Sequence, residues 1–471
     1  MKSLAQIAGV VCVLFSTASA RAEVALPKIF SDGMVLQRGE TAPVYGTAAD
    51  GKKVSVEFRG AKAETTAAGG AWRVDIPPGE PGGPFTLNVK GTNAVTIKNV
   101  YVGDVWICSG QSNMHLCSHY KPLPEAPEHI RFFTGTGGYF KDDPEKWRAG
   151  GSFSKFGGHS GLAIYEHVKV PLGLIYAAQG ATKVNRWLVE KVSVLIRRPN
   201  SKRRPDKRMA DNDCYRDWIE PLQPYGIKGV IWWQGSTDSL GDVKWGHYAY
   251  YQQFPAMING WRKAWGQGDF PFLWVQLQSM TKREPGGYVR DAMRRALALP
   301  NTGMAVAFDL TNDDLIPCWR PGDGHPCNNK QVVPVLAARM ALAARYAAYG
   351  EKDLVWTGPL YEKTEIKGDK LVVHFTLVAD GLVARKGGEK GLYGFDVQEK
   401  VPAEYYVGDY GEFKTVAAKI SDDKKTVVLD IKGLTPPFRV RYAWGAIPKA
   451  NLYNTADLPA APFVTDPIPA R

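Results

Sequence analysis

The sequence predicts an α/β protein built on a doubly wound parallel sheet, with β-sandwich-like modules flanking it. Three features predict this. Unbroken apolar runs recur through the middle of the chain, helix-like stretches separate them, and short alternating runs fill both ends.

The first 22 residues read as an export signal: Lys2 is the positive start, Ile7 to Phe15 the apolar stretch, and Ser16–Ala22 a small-residue segment with cleavage sites after Ala20 or Ala22. The apolar run is too short for a comfortable membrane span, and no later stretch is long and apolar enough. The expectation is a secreted or periplasmic protein with no stable membrane insertion after cleavage. Residues 23–99 read as an N-terminal β-module: alternating runs such as Lys53–Phe58 and Phe85–Val89 lie between Gly and Pro turns, as in a small β-sandwich.

From residue 100 the pattern changes. Val105–Cys108, Leu172–Tyr176, Val230–Trp233, Phe272–Val275 and Met304–Phe308 are apolar throughout, as strands covered on both faces are. Tyr248–Trp265 and Gln331–Tyr346 read as helices between or after them. Residues 100–352 therefore form the predicted hydrolase-type α/β domain, whose ligands belong beyond the carboxyl ends of the strands. After that the β-pattern returns in Lys370–Phe375, Val427–Ile431 and Phe438–Tyr442, giving a C-terminal β-module over 353–471.

Composition narrows the function. Hydrophobic residues make up 44% and charged residues 23%, which excludes a disordered chain or a coiled coil. The net charge of +12 falls to about +10 once a signal carrying Lys2 and Arg21 is removed. The sharpest basic cluster, Arg197 to Arg208, sits among Pro199, Asn200, Ser201 and Pro205 and reads as a solvated loop. Without a basic-aromatic motif, and with export expected, nucleic acid is not a predicted partner. Beyond Cys12 in the signal, five cysteines remain; Cys318 and Cys327 bracket a short Pro/Gly-containing loop and are the best candidate disulfide pair.

Four polar turns follow successive predicted strands. Cys108-Ser109-Gly110-Gln111-Ser112-Asn113-Met114 puts a serine just past a strand end beside glycine, where its hydroxyl is exposed and its own N–H can face a developing oxyanion. Gly180, in the turn after the second strand, lets the backbone approach a ligand closely and offers a second N–H donor. Trp233-Gln234-Gly235-Ser236-Thr237-Asp238 adds polar side chains after the third. Gly322-Asp323-Gly324-His325-Pro326 supplies an imidazole with an unperturbed pKa near neutrality, suited to a general base, and Asp323 to orient it. Any one of these turns is weak alone; together they point much more strongly to nucleophilic catalysis by a serine. Gln111, Asn113 and Gln234 read equally as substrate-positioning groups or as supports of these loops. His115 and His119, with Cys117 between them, have helical spacing, but no third ligand stands out; neither a metal nor an organic cofactor is predicted.

Those motifs resemble the sialate O-acetylesterase family of SGNH hydrolases, nearly from end to end of the mature chain. The likeness lies in Phe30–Arg38, in Val105–Met114 above all, in Pro171–Ile175, Ile227–Gly235, His325-Pro326 with Asn329-Lys330-Gln331, and Val440–Trp444. It implies an SGNH-type core with a β-module inserted near it or packed on it, Ser112 as nucleophile, His325 as base, and the N–H groups of Ser112 and Gly180 as oxyanion donors. The family usually reads Gln-Gly-Glu-Ser-Asn in the third block; here Ser236 replaces the Glu and Asp238 the Asn. An Asn amide donates to an oxyanion, whereas an ionised Asp only accepts, so Asp238 serves there only if protonated or turned to another role. Asp323 is the first candidate to orient His325 and Asp238 the second. The implied reaction removes acetyl groups from sugar hydroxyls, with an O-acetylated sialic acid or a plant polysaccharide such as xylan as substrate. The alternatives are an inactive carbohydrate-binding homologue, or a peptidase or lipase of similar triad logic. Oligomeric state is left open.

Overall fold

The computed structural model describes residues 23–39, 41–115, 129–134, 145–150, 153–191, 212–239, 246–279, 286–311, 325–385, 391–401 and 412–466. The proposed signal, the basic cluster, Cys117, His119, Cys318 and Asp323 lie outside them.

The chain is mixed α/β, organised by an 11-stranded sheet with further small β-sheets beside it. Its main row runs Thr302–Ala305, Phe272–Val275, Gly229–Trp233, Ala94–Gly110, Leu172–Ala178, Ile130–Thr134 and Trp147–Arg148. The first six of these are parallel, and only the short last strand is antiparallel. Later strands are added on both sides of Ala94–Gly110, so strand order reverses there. In open α/β sheets such a reversal opens a crevice at the carboxyl ends.

Burial explains which runs became central strands. Residues 100–110 are all buried, and so are all of Leu172–Ala178, Gly229–Trp233 and Phe272–Val275, because helices cover both faces. Helices Lys155–Val168 and Val332–Ala348 pack together on one face. Gly161 lies so close to Leu174 that a Cβ there would meet its Cδ1 at 2.4 Å. On the other face, helix Gly246–Trp265 sets Trp261 edge-on against Trp232 at 5.8 Å and Phe254 edge-on against Trp274 at 5.2 Å.

Three expectations are modified. The N-terminal β-region is not a free-standing sandwich: the 17-residue strand Ala94–Gly110 pairs antiparallel with Gly82–Lys90 over its first part and parallel with the central strands over its last. A two-stranded layer, Ala42–Thr47 with Ala71–Ile76, completes that region. The change of pattern near residue 100 therefore falls inside one strand, where the flanking cover changes from one face to two. The run Met304–Phe308 is strand only as Thr302–Ala305; Arg339 Nη1 binds the carbonyl of Val306, and the chain turns into a 3-10 helix at Phe308–Thr311. Strand Ile130–Thr134 and the helices Lys155–Val168 and Gly286–Arg295 add to the elements expected from sequence.

The C-terminal β-region starts at Leu360–Lys367 and forms two four-stranded sheets and a two-stranded one. It is anchored to the α/β core by buried charge. Arg290 donates to the carbonyls of Gly445 and Ala446, and the Asp309 carboxylate takes both Nη atoms of Arg339 at 2.7 Å together with the Tyr453 hydroxyl at 3.0 Å. A bidentate guanidinium pair is the geometry that best offsets the desolvation of buried ions.

Candidate active site

Three neighbouring strands end at one level. Ala178 and Trp233 are both in register with Gly110, from opposite sides. Beyond that level Gln179 N–H donates to Gly110 O at 3.0 Å and Gln111 N–H to Trp233 O at 2.9 Å, so the three turns are tied edge to edge. The turn at Gly110 demands glycine. Its φ is +132°, and a Cβ would lie 2.2 Å from Trp233 O.

Ser112 opens the short helix Ser112–His115. Its Oγ lies 3.0 Å from His325 Nε2, a partner 213 residues away in sequence. For Nε2 to accept the serine proton, the imidazole proton must sit on Nδ1, the tautomer a general base requires. His325 leads into the 3-10 turn Pro326–Asn328, and Cys327 N–H makes a long 3.5 Å contact to Asn113 Oδ1 on the nucleophile helix. Cys327 is buried; its candidate partner Cys318 is outside the described residues.

Gly180 stands two residues past Ala178, as Ser112 stands two past Gly110. Among the described residues neither the Gly180 N–H nor the Ser112 N–H has a hydrogen-bond acceptor, the state expected of donors kept for a ligand oxygen.

The other expected residues do different work. Gln111 is buried, and its Oε1 receives the N–H groups of Gly235 and Thr237 at 3.3 and 3.4 Å, which fastens the third turn to the nucleophile turn. Gln234 is also buried; its amide nitrogen donates to Thr182 O at 2.9 Å and to Asp238, and its Oε1 accepts from Tyr250 at 3.2 Å. Asn113 has no exposed surface. The bonds of Gln111 and Gln234 tie neighbouring loops together. Asp238 is in the other role left open to it: its carboxylate accepts from Val184 N–H, at 3.3 and 3.2 Å, and from the Gln234 amide. It thereby holds the chain after Gly180 against the third turn. Burial pushes its pKa up to about 6, against the lowering effect of Gln234 and Lys183. Ser236 accepts from Gln278 Nε2 at 3.2 Å, whose Oε1 takes the Trp233 indole N–H at 3.1 Å. His115, the conceivable metal ligand, turns inward to the Tyr176 hydroxyl. Among the described residues no cluster of three or more His, Cys, Asp or Glu could hold a metal ion.

A carbohydrate acetylesterase of known structure from Xanthomonas citri superposes with a TM-score of 0.77 at 30% identity, covering 94% of this chain and all of that one. This chain belongs to the sialate O-acetylesterase family of carbohydrate esterases. It is a carboxylic-ester hydrolase. The profile of the family described as "Carbohydrate esterase, sialic acid-specific acetylesterase" matches residues 139–316. The rat sialate O-acetylesterase is 27% identical over 83% of this chain and 83% of its own length. The human one is 26% identical over 96% of this chain and 94% of its own.

Supporting residues that sequence reasoning missed are Gln278, Tyr176, Val184 and Thr182. Gln278 and Tyr176 lie near strand ends, Gln278 acting through two long-range hydrogen bonds and Tyr176 through one to His115, which no local pattern encodes.

Proposed function

We propose that the protein removes acetyl groups from sugar hydroxyls through an acyl-enzyme on Ser112, on an SGNH-type hydrolase core. The observation that carries this is the 3.0 Å approach of His325 Nε2 to Ser112 Oγ at the carboxyl edge of the sheet. His325 takes the serine proton as Oγ attacks the acetyl carbonyl. The N–H groups of Ser112 and Gly180 hold the oxyanion. When the tetrahedral intermediate collapses, the C–O bond to the sugar breaks and His325 gives its proton to the departing sugar oxygen. A water molecule then attacks the acetyl-serine ester, passing its proton to His325, and acetate leaves as the serine recovers its proton. Asp323 is the first candidate to orient the imidazole in this scheme and Asp238, held by Val184 and Gln234, the second.

The family's description points to O-acetylated sialic acid as the first substrate to try, and the Xanthomonas citri neighbour to acetylated carbohydrate more broadly. We place the protein outside the cytoplasm, after cleavage at Ala20 or Ala22; N-terminal sequencing of the mature protein checks this. Residues 100–352 and 353–471 are the proposed core and C-terminal modules, with 23–99 a β-region continuous with the core through the strand Ala94–Gly110.

Hydrolysis of p-nitrophenyl acetate by the parent and by Ser112→Ala tests the nucleophile. Equal rates would end the reading. Acetate release from a panel of O-acetylated sialosides, acetylated xylan, long-chain esters and peptides then fixes the substrate class; activity confined to the last two would replace it.

A further inference from the structure

The aromatic pair behind the oxyanion turn has no part in proton transfer, yet it joins the two donors of the proposed oxyanion hole. Tyr176 lies on strand Leu172–Ala178 with no exposed surface, its ring wedged edge-on against Phe153 at 6.1 Å and Trp218 at 6.0 Å. Its hydroxyl donates to Ala178 O at 3.0 Å, the last strand residue before the Gln179-Gly180 turn. The same oxygen meets His115 Nδ1, at the end of the helix that Ser112 begins. A phenol has one proton. With that proton on Ala178 O, the contact to His115 is a hydrogen bond only if Nδ1–H donates, which fixes the His115 tautomer. The ring of His115 also lies beneath Gly180: a Cβ built there would be 3.9 Å from His115 Cδ2. Two hydrogen bonds in series thus run from the nucleophile helix to the oxyanion turn, in a buried site where such bonds are geometrically rigid.

We propose that His115 and Tyr176 are positioning residues that set the Gly180 N–H relative to the Ser112 N–H, so that both point at one oxygen in the transition state. The idea rests on Ser112 being the nucleophile. An oxyanion hole acts through donors fixed in advance, so a turn free to shift weakens transition-state binding and leaves ground-state binding alone.

The test compares parent, Tyr176→Phe, His115→Leu, His115→Gln and Ser112→Ala on p-nitrophenyl acetate, with methylboronic acid as probe. Ser112 Oγ adds to the boron as its proton passes to His325, giving a tetrahedral anion that needs the same two N–H donors as the acetyl transition state. Tyr176→Phe keeps the ring and its packing. The expected result is a fall in kcat of about tenfold, with KM within about twofold of the parent. The boronate Ki should rise in step with the loss of kcat. His115→Gln, which keeps a donor, should retain more activity than His115→Leu. The proposal is overturned if Tyr176→Phe matches the parent in kcat and Ki, or if its kcat falls while Ki stays unchanged. It is also overturned if His115→Gln and His115→Leu lose activity equally. Ser112→Ala separates the two failures: full activity there removes the nucleophile reading itself, whereas lost activity beside an unaffected Tyr176→Phe removes only the positioning pair.

Discussion

The nucleophile turn and the histidine segment face each other across 3.0 Å but reach that distance by different means. The nucleophile turn sits on a central strand. Neighbouring strands fix its height, a glycine that tolerates no side chain shapes it, and a backbone carbonyl on one side and a backbone N–H on the other bind it. The histidine follows the outermost parallel strand and leads into a 3-10 turn; among the described residues the serine–imidazole contact and a long contact from Cys327 N–H to Asn113 Oδ1 join it to the nucleophile helix. One half is a product of sheet register; the other is docked onto it. Chemistry should therefore be lost from either side, but stability from one side only.

Mutation sharpens this contrast. Removing the nucleophile with Ser112→Ala should have the largest effect, lowering kcat on acetyl esters by about 10⁴-fold or more, with little change in Tm. His325→Ala should cost on the order of 10³-fold or more in kcat and likewise leave the melting temperature near the parent's. If His325→Ala melted far below the parent, the docked description would be wrong. Gly110→Ala should differ in kind: with a positive φ and a backbone oxygen 2.2 Å from the new Cβ, it should cost on the order of 3 kcal/mol in a denaturant titration as well as most of the activity. Gly180→Ala is its control, since only His115 Cδ2 at 3.9 Å meets the added methyl, and its stability should stay within about 0.5 kcal/mol.

A smaller effect concerns Asp238. Its folded-state pKa, pushed up to about 6 by burial, lies above the value near 4 of an unfolded chain. The folded protein thus holds that proton more tightly. The resulting stabilisation is complete below the unfolded value and is lost as pH rises through about 6, by up to about 3 kcal/mol. Asp238→Asn should lack this slope, so its stability relative to the parent should improve between pH 4 and pH 7. Unfolding curves that stay parallel across that range would contradict it.

How much of this was legible in the sequence follows from where each interaction lies. Ser112, Gly180, Gln234 and His325 each follow an apolar run closely or open a segment the family motif marks, so strand-end logic finds them. The burial of Gln111, Asn113 and Gln234 was not legible, because their partners lie across adjacent turns rather than along the chain. Nor was the role of Asp238: the substitution was visible, but its bond to Val184 depends on where the loop after Gly180 turns. The strand Ala94–Gly110 misled for a different reason. Its residues alternate in exposure up to Lys98 and are uniformly buried from Val100, and a change of cover looks like a change of domain.

That strand also has a mechanical meaning. The peptide that closes the N-terminal β-layer continues, with no loop in between, to within two residues of the nucleophile. Trimming the chain from its amino end would therefore strip the support from beneath the reaction centre, instead of releasing a dispensable appendage. Heat or denaturant should melt the layer and the catalytic strand in a single cooperative step.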